Sequence, residues 1–382
     1  MQHVFIIGSR GLPAQYGGFE TFVAELVQNQ TSAAIKYHVA CLDDQKNQVH
    51  FDYCGADCFT IKVPNLGPAK VIAYDMLAIH YALKMVKMES IKQPIFYILG
   101  NTIGGFIQYF ANQIHRAGGQ LLVNPDGLEW RRSKWSKPIQ RYLKYAERKM
   151  CQSADLIVSD NQGIEDYLLL EYPKTVSQVI AYGTDIAEVN ANAANHALEE
   201  WYQQFQLSPG DYYLVVGRFV PENNYETIIR SFMASKVKKD LVIITNYQDS
   251  AYYQELKNKT QFQKDSRIKF VGTVYQKDLL RLIRQQAFAY IHGHEVGGTN
   301  PGLLEAMWDS PLNLVLAVSF NQKVALDSAI YFTPANLTSI IESTEQNASM
   351  QKLKFKSLAQ AIILENYTWD KIVAQYEELF LK

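Results

Sequence analysis

Between His292 and Met307 the chain reads His-Gly-His-Glu-Val-Gly-Gly-Thr-Asn-Pro-Gly-Leu-Leu-Glu-Ala-Met, the run of residues best suited to holding a charged ligand. A glycine-rich loop entering a helix exposes backbone amides at the positive end of the helix dipole. Gly298, Thr299 and Asn300 are therefore read as contacts for a diphosphate and for sugar hydroxyls. Glu305, one turn into the helix, can accept from two ribose hydroxyls; a capping role accounts for Glu305 alone but not for the whole segment. A second loop, Gly217-Arg218-Phe219-Val220-Pro221-Glu222-Asn223-Asn224, follows a strand-like run. Arg218 there offers a forked cation to balance a leaving diphosphate, or else pairs with Glu222 on the surface. Near the start, Gly8 to Glu20 places Gly17 and Gly18 at a helix entry, either as a further amide cradle or only as a tight turn. None of these loops has the dinucleotide or phosphate-loop spacing, so neither a nicotinamide enzyme nor an ATPase is supported.

Acids and a phenol recur just beyond strand-like runs: Asp126, Asp160 and Tyr182. Asp126 or Asp160 can orient or deprotonate a hydroxyl, and each can equally serve as a turn or capping aspartate. His292 and His294 lack further ligands at metal spacing and are read as structural. No Asp-x-Asp pair occurs, so no metal and no other cofactor is expected. Arg131 to Lys149 is basic and interleaved with aromatics; Arg131, Arg132, Lys134 and Trp135 suit an anionic membrane surface or a solvated helix face. Nucleic acid is not an expected partner, because no recognition module accompanies the charge.

The elements that must position these residues follow from periodicity. Short apolar runs alternate with helical segments along the whole chain, which indicates α/β architecture with parallel sheets. Strands are expected at Val4 to Ile7, Val39 to Leu42, Ile95 to Leu99, Leu121 to Val123, Leu156 to Ser159 and Val179 to Ala181. After a polar stretch from Ala187 to Glu200 the rhythm restarts at Tyr212, with strands at Leu241 to Thr245, Ile268 to Val271, Ala287 to Ile291 and Leu314 to Val318. Two Rossmann-like domains follow, and ligands of such sheets bind beyond the carboxyl ends of the strands, here in a cleft between domains. The length of 382 residues suits two domains, and a net charge of -1 gives no global pull on nucleic acid. Four cysteines in no paired framework are read as reduced thiols; neither a secretory signal nor a spanning segment is expected.

With these residues in view, the chain resembles glycosyltransferase family 4, and more narrowly the bacterial rhamnosyltransferases of cell-wall rhamnan and capsule synthesis. The resemblance is carried by Gly-Ser-Arg-Gly-Leu-Pro through Gly-Gly-Phe-Glu, Asn124 to Trp130, Ala154 to Ile157, Ala181 to Asp185, Gly217-Arg218 and Gly298 to Pro301. It implies the GT-B fold, with an acceptor domain over 1–186, a nucleotide-sugar domain over 187–365, and a helix over 366–382 that returns to the first. It further implies a retaining transfer of L-rhamnose from dTDP-β-L-rhamnose, in β-1,4 linkage, to a GlcNAc-diphosphate lipid. The location implied is the cytosolic face of the plasma membrane. This sequence departs from the family in carrying Gly297 where a Glu is usual, with Glu295 nearby; Asn223 where a Lys is usual; and Asp126 in a region that often holds His. A sugar phosphorylase or epimerase lacks its expected residues here, while a non-catalytic glycan- or nucleotide-sugar-binding subunit stays open beside another nucleotide-sugar donor.

Overall fold

The structure, a computed structural model, describes residues 1–14, 17–43, 50–189, 191–248 and 250–382, so Tyr16 of the opening block and Asn190 lie outside the described residues. The chain divides into unit 1, Met1–Gly183 with Trp369–Lys382, and unit 2, Thr184–Thr368. Against boundaries expected after 186 and 365, it leaves unit 1 at Gly183 and re-enters it at Trp369. Among the described residues no helix is long and apolar enough to cross a membrane.

Unit 1 runs β1 (Gln2–Ile7), α1 (Gly18–Gln28), β2 (Ile35–Asp43), β3 (His50–Tyr53), β4 (Ala56–Lys62), α2 (Lys70–Met88), β5 (Ile95–Leu99), α3 (Ile107–Arg116), β6 (Gln120–Asn124), α4 (Lys137–Ser153), β7 (Leu156–Ser159), α5 (Gln162–Glu171) and β8 (Ser177–Val179). Its sheet has the order β3-β4-β2-β1-β5-β6-β7-β8, parallel except where β3 runs against β4. Val4 to Ile7 and Ile95 to Leu99 are buried throughout, because helices cover both faces of a central parallel strand and leave no polar side. The hairpin β3–β4 escaped the periodicity reading: β3 is a half-exposed edge strand of alternating burial, with little apolar signal. The expected strand at Val179 to Ala181 lies earlier, as β8, since only Val179 of that run enters the ladder.

Unit 2 runs α6 (Ala191–Phe205), β9 (Tyr212–Val216), α7 (Tyr225–Ala234), β10 (Asp240–Ile244), α8 (Ala251–Thr260), β11 (Ile268–Gly272), α9 (Lys277–Gln285), β12 (Ala289–His292), α10 (Pro301–Asp309), β13 (Asn313–Leu316), α11 (Ser319–Ala325), β14 (Ile330–Phe332), α12 (Leu337–Gln346) and α13 (Ala348–Asn366). Its six strands are parallel, in the order β11-β10-β9-β12-β13-β14. The polar stretch from Ala187 to Glu200 is largely helical as α6, which docks through Ala194, Leu198 and Trp201 onto the core containing Tyr212 and Ile283. Three apolar residues at i, i+4 and i+7 are enough to seat a helix whose other faces stay polar. The last helix, α14 (Trp369–Leu381), packs on α1, β1 and β2 of unit 1 and buries Tyr376 and Phe380 there. All four cysteines are free, with only Cys54 exposed.

Candidate functional site

In unit 2 the loops after β9 and β12 are stitched together by side-chain amides. Asn223 donates to the carbonyl of Arg218 at 2.6 Å and accepts from His294 Nδ1 at 2.7 Å. Asn224, in the left-handed region at φ 55, donates to the Gly293 carbonyl and to the Glu295 carboxylate, both at 2.9 Å. Gly293 is required at this seam, because a Cβ would lie 2.4 Å from the Asn223 carbonyl oxygen. Asn223 thus acts as a strut between loops where the family resemblance leads one to expect a cation, and Glu295 is held by Asn224. His292 is buried against Tyr290, and desolvation lowers its pKa to about 3, so it is neutral at physiological pH.

Beyond this seam the loop opens. Among the described residues the backbone N–H groups of Gly297 and Gly298 donate to no protein acceptor. Gly297 holds φ 135, a conformation that favours glycine. Thr299 is buried, and Asn300 caps α10 by accepting from the Gly302 amide at 2.9 Å, so its side-chain oxygen serves the helix. Glu305 is half-exposed on the first turns of α10 and is gripped by Arg284, a nearly buried guanidinium on α9. Three residues earlier on α9, Arg281 pairs with Asp309 at 3.2 Å. These two arginines, three apart on one helix face, fix the carboxylates of α10; their spacing is the signal that sequence reasoning passed over. Arg218 is exposed and, among the described residues, its side chain has no ion pair or hydrogen bond, so the pairing with Glu222 does not form. The arrangement presents two open amides, a helix N-terminus and an uncommitted guanidinium, all suited to an anion.

Unit 1 places its candidates differently. Gly17 is the N-cap of α1, where a Cβ would clash with the carboxylate of Glu20; that buried carboxylate accepts from the Arg10 amide at 2.8 Å. Glu20 thereby supplies a negative group at the helix entry, and Gly18 lies in open space beside it. Asp126 holds φ 56 just after β6, bonded by the Gly127 amide at 2.8 Å. Burial pushes its carboxyl above the ordinary range while Arg132, 3.8 Å away, pulls it down. Asp160 is buried directly after β7. Tyr182 is a core residue: its hydroxyl receives Asn124 Nδ2 at 3.3 Å, and burial followed by the charge of Asp160 drives its pKa well up. That phenol stays protonated and can act only as a hydrogen-bond donor or acceptor, not as a base.

A cavity of about 140 Å³ opens here between the ends of β1, β5 and β6, lined by Phe19, Asn101, Thr102, Asp126 and Trp130 among others. Asn101 Oδ1 and Trp130 Nε1 are buried atoms with no protein partner, an arrangement suited to a ligand bearing hydroxyls. In the first part of the basic run beside it, Arg132, Lys134 at 2.7 Å and the Trp135 indole at 2.9 Å all converge on Glu129. Arg131 lies over the Trp130 ring. Among the described residues no group of three His, Cys, Asp or Glu side chains could hold a metal ion.

Residues 1–185 match a family model described as a domain of unknown function (DUF1972). No curated protein matches the chain. Among solved structures, sucrose-phosphate synthase of Thermosynechococcus elongatus is 14% identical at a TM-score of 0.78, over 100% of this chain and 98% of that one. HepE of Anabaena, in complex with UDP and glucose, is 15% identical at 0.72, over 100% of both chains. A trehalose-6-phosphate protein of E. coli bound with UDP-2-fluoro glucose is 9% identical at 0.70, over 100% and 99%. The fold is therefore GT-B: two Rossmann-like α/β units in one chain.

Proposed function

We propose that this protein is a glycosyltransferase that takes a nucleotide-diphosphate sugar in unit 2 and works without a metal or other cofactor. The observation carrying this reading is the pair of unpartnered amides at Gly297 and Gly298 before α10, with Glu305 fixed by Arg284 one turn on. The amides and helix dipole suit the diphosphate, Glu305 suits the ribose hydroxyls, and Arg218 offsets the charge that develops on the leaving group. In the retaining course implied by the family resemblance, an acceptor hydroxyl forms the new bond to the anomeric carbon on the face from which the nucleoside diphosphate departs. The hydroxyl proton passes to the departing diphosphate, so no covalent sugar–protein intermediate is needed.

The finer reading is transfer of L-rhamnose from dTDP-β-L-rhamnose to a GlcNAc-diphosphate lipid, by a protein attached peripherally at the cytosolic face of the plasma membrane. Its support is the resemblance of the opening block and of Gly298-Thr299-Asn300-Pro301 to that group of enzymes. On the acceptor side, the cavity beside Asp126 suits a pyranose, with Asn101 Oδ1 and the Trp130 indole N–H as partners for its hydroxyls. Asp126 and Asp160 remain the carboxylates proposed to orient the acceptor hydroxyl. The test incubates the purified protein with a panel of nucleotide sugars, a synthetic GlcNAc-diphosphate lipid and a chelator, and follows product mass. A rhamnosylated lipid is expected from dTDP-rhamnose. Product from a different donor would replace the sugar assignment, and nucleotide binding with no product from any donor would favour a non-catalytic binding subunit.

A further inference from the structure

Helices α2 and α3 of unit 1 pack side by side and leave between them an open groove of about 660 Å³, floored by Leu83, Val86 and Phe110. Lys84, Lys87, Lys92 and Arg116 stand around it, all exposed, and among the described residues none makes an ion pair or hydrogen bond. The local charge is lopsided: Lys70 to Arg116, which spans both helices, holds 5 Lys and Arg against 2 Asp and Glu, in a chain whose net charge is -1. Of these two acids Asp75 is buried, which leaves Glu89, exposed at the end of α2, as the counter-charge within that span. Large apolar side chains of the same two helices stand in water: Tyr109, in the groove wall, is 61% exposed, Met88 at the end of α2 72%, and Phe106 at the start of α3 47%.

Unpaired cations attract a polyanion, and exposed methionine and aromatic rings gain by leaving water. Both conditions are met together at the headgroup layer of an anionic bilayer. We propose that the α2–α3 face docks on an anionic lipid membrane, with phosphate headgroups entering the groove and Tyr109, Phe106 and Met88 resting at the interface. A nucleic acid would satisfy the cations but would leave the Met88 side chain and the apolar floor without a partner. The inference rests on the membrane attachment within the proposed function but moves it to residues outside the 131–135 segment. Vesicle binding tests it without any sugar transfer.

The experiment is co-flotation of the full chain with vesicles of phosphatidylcholine alone and of phosphatidylcholine mixed with phosphatidylglycerol. The wild type should bind the mixed vesicles, weakly or not at all the neutral ones, and should release in high salt. At about fivefold per cation, the triple variant Lys84→Glu/Lys87→Glu/Arg116→Glu should lose on the order of 100-fold or more in vesicle affinity. Arg131→Glu/Lys134→Glu should cost much less. Unchanged circular dichroism and melting temperature confirm that the triple variant is folded; should it not fold, Lys87→Gln alone should still cost about fivefold. Binding that ignores phosphatidylglycerol, full retention in the folded triple variant or in Lys87→Gln, or capture of a single-stranded oligonucleotide with no vesicle binding would each overturn the proposal. Should no donor yield product in the transfer assay, the vesicle result still stands or falls by itself.

Discussion

The strand ends of unit 1 and unit 2 handle polar groups in opposite ways. In unit 1 the ionisable groups are turned inward: Asp75 and Tyr182 are buried, Glu20 is bonded to the Arg10 amide, and Glu129 gathers three donors. In unit 2 the carboxylates Glu295 and Glu305 are anchored by Asn224 and Arg284, while the Gly297 and Gly298 amides and the Arg218 guanidinium are left uncommitted. The difference teaches that unit 2 is preset for a highly charged ligand, with donors held in place before it arrives. The strand-end cavity of unit 1 is suited to the neutral, hydroxylated sugar of a ligand, because Glu20 and Glu129 there are already bonded.

The sharpest way to break this comparison is Arg218→Ala. If Arg218 stabilises the charge on the leaving diphosphate, turnover should fall about 10²- to 10³-fold while the fold is unaffected; steady-state kinetics with unchanged turnover would remove Arg218 from the reaction. Next comes the inward-turned carboxyl of Asp75, whose pKa burial raises to about 7, with a hydrogen bond from Thr102 opposing the shift. A folded carboxyl that holds its proton longer than the unfolded chain makes stability fall as pH rises from about 4 to 7, by on the order of 1 kcal/mol per pH unit. Asp75→Asn should therefore melt near the wild-type temperature at pH 4 and clearly above it at pH 8. Melting curves that stay parallel across that range would show the carboxyl to be ionised in the fold. The smallest effect belongs to Asn300→Ala, which removes the α10 cap. A loss of about 1 kcal/mol in unfolding free energy is expected, with nucleotide affinity reduced only modestly because the amides of Gly297 and Gly298 remain. A loss of affinity as large as that from Arg218→Ala would mean that the Asn300 side chain itself meets the ligand.

Much of the frame was legible in the sequence because buried parallel strands must be apolar on both faces. Ile95 to Leu99 and Leu156 to Ser159 form strands over the residues expected of them. The elements that escaped have weaker demands: β3 is an edge strand with one wet side, and α6 is held by few apolar residues. The loops at the candidate site were legible as glycine-rich turns before helices, but their partners were not. Arg284 lies 21 residues from Glu305, and Glu129 draws in Arg132, Lys134 and Trp135 from a run that reads as an open basic surface. The first pairing is decided by tertiary packing, to which local pattern is blind, and the second by a short loop whose course a run of charges does not specify.

The placement of α14 has a bearing on synthesis. Gly183, the last residue of unit 1's first segment, has no room for a Cβ because the Trp369 indole would lie 2.5 Å from it, and Tyr376 and Phe380 fill the same core as Phe22 and Tyr97. During translation, the segment Met1–Gly183 must therefore wait, with part of its hydrophobic interior uncovered, while the whole of Thr184–Thr368 is made. Unit 2, continuous in sequence, needs no later segment to close its core, whereas the segment made earliest is completed only when α14 docks.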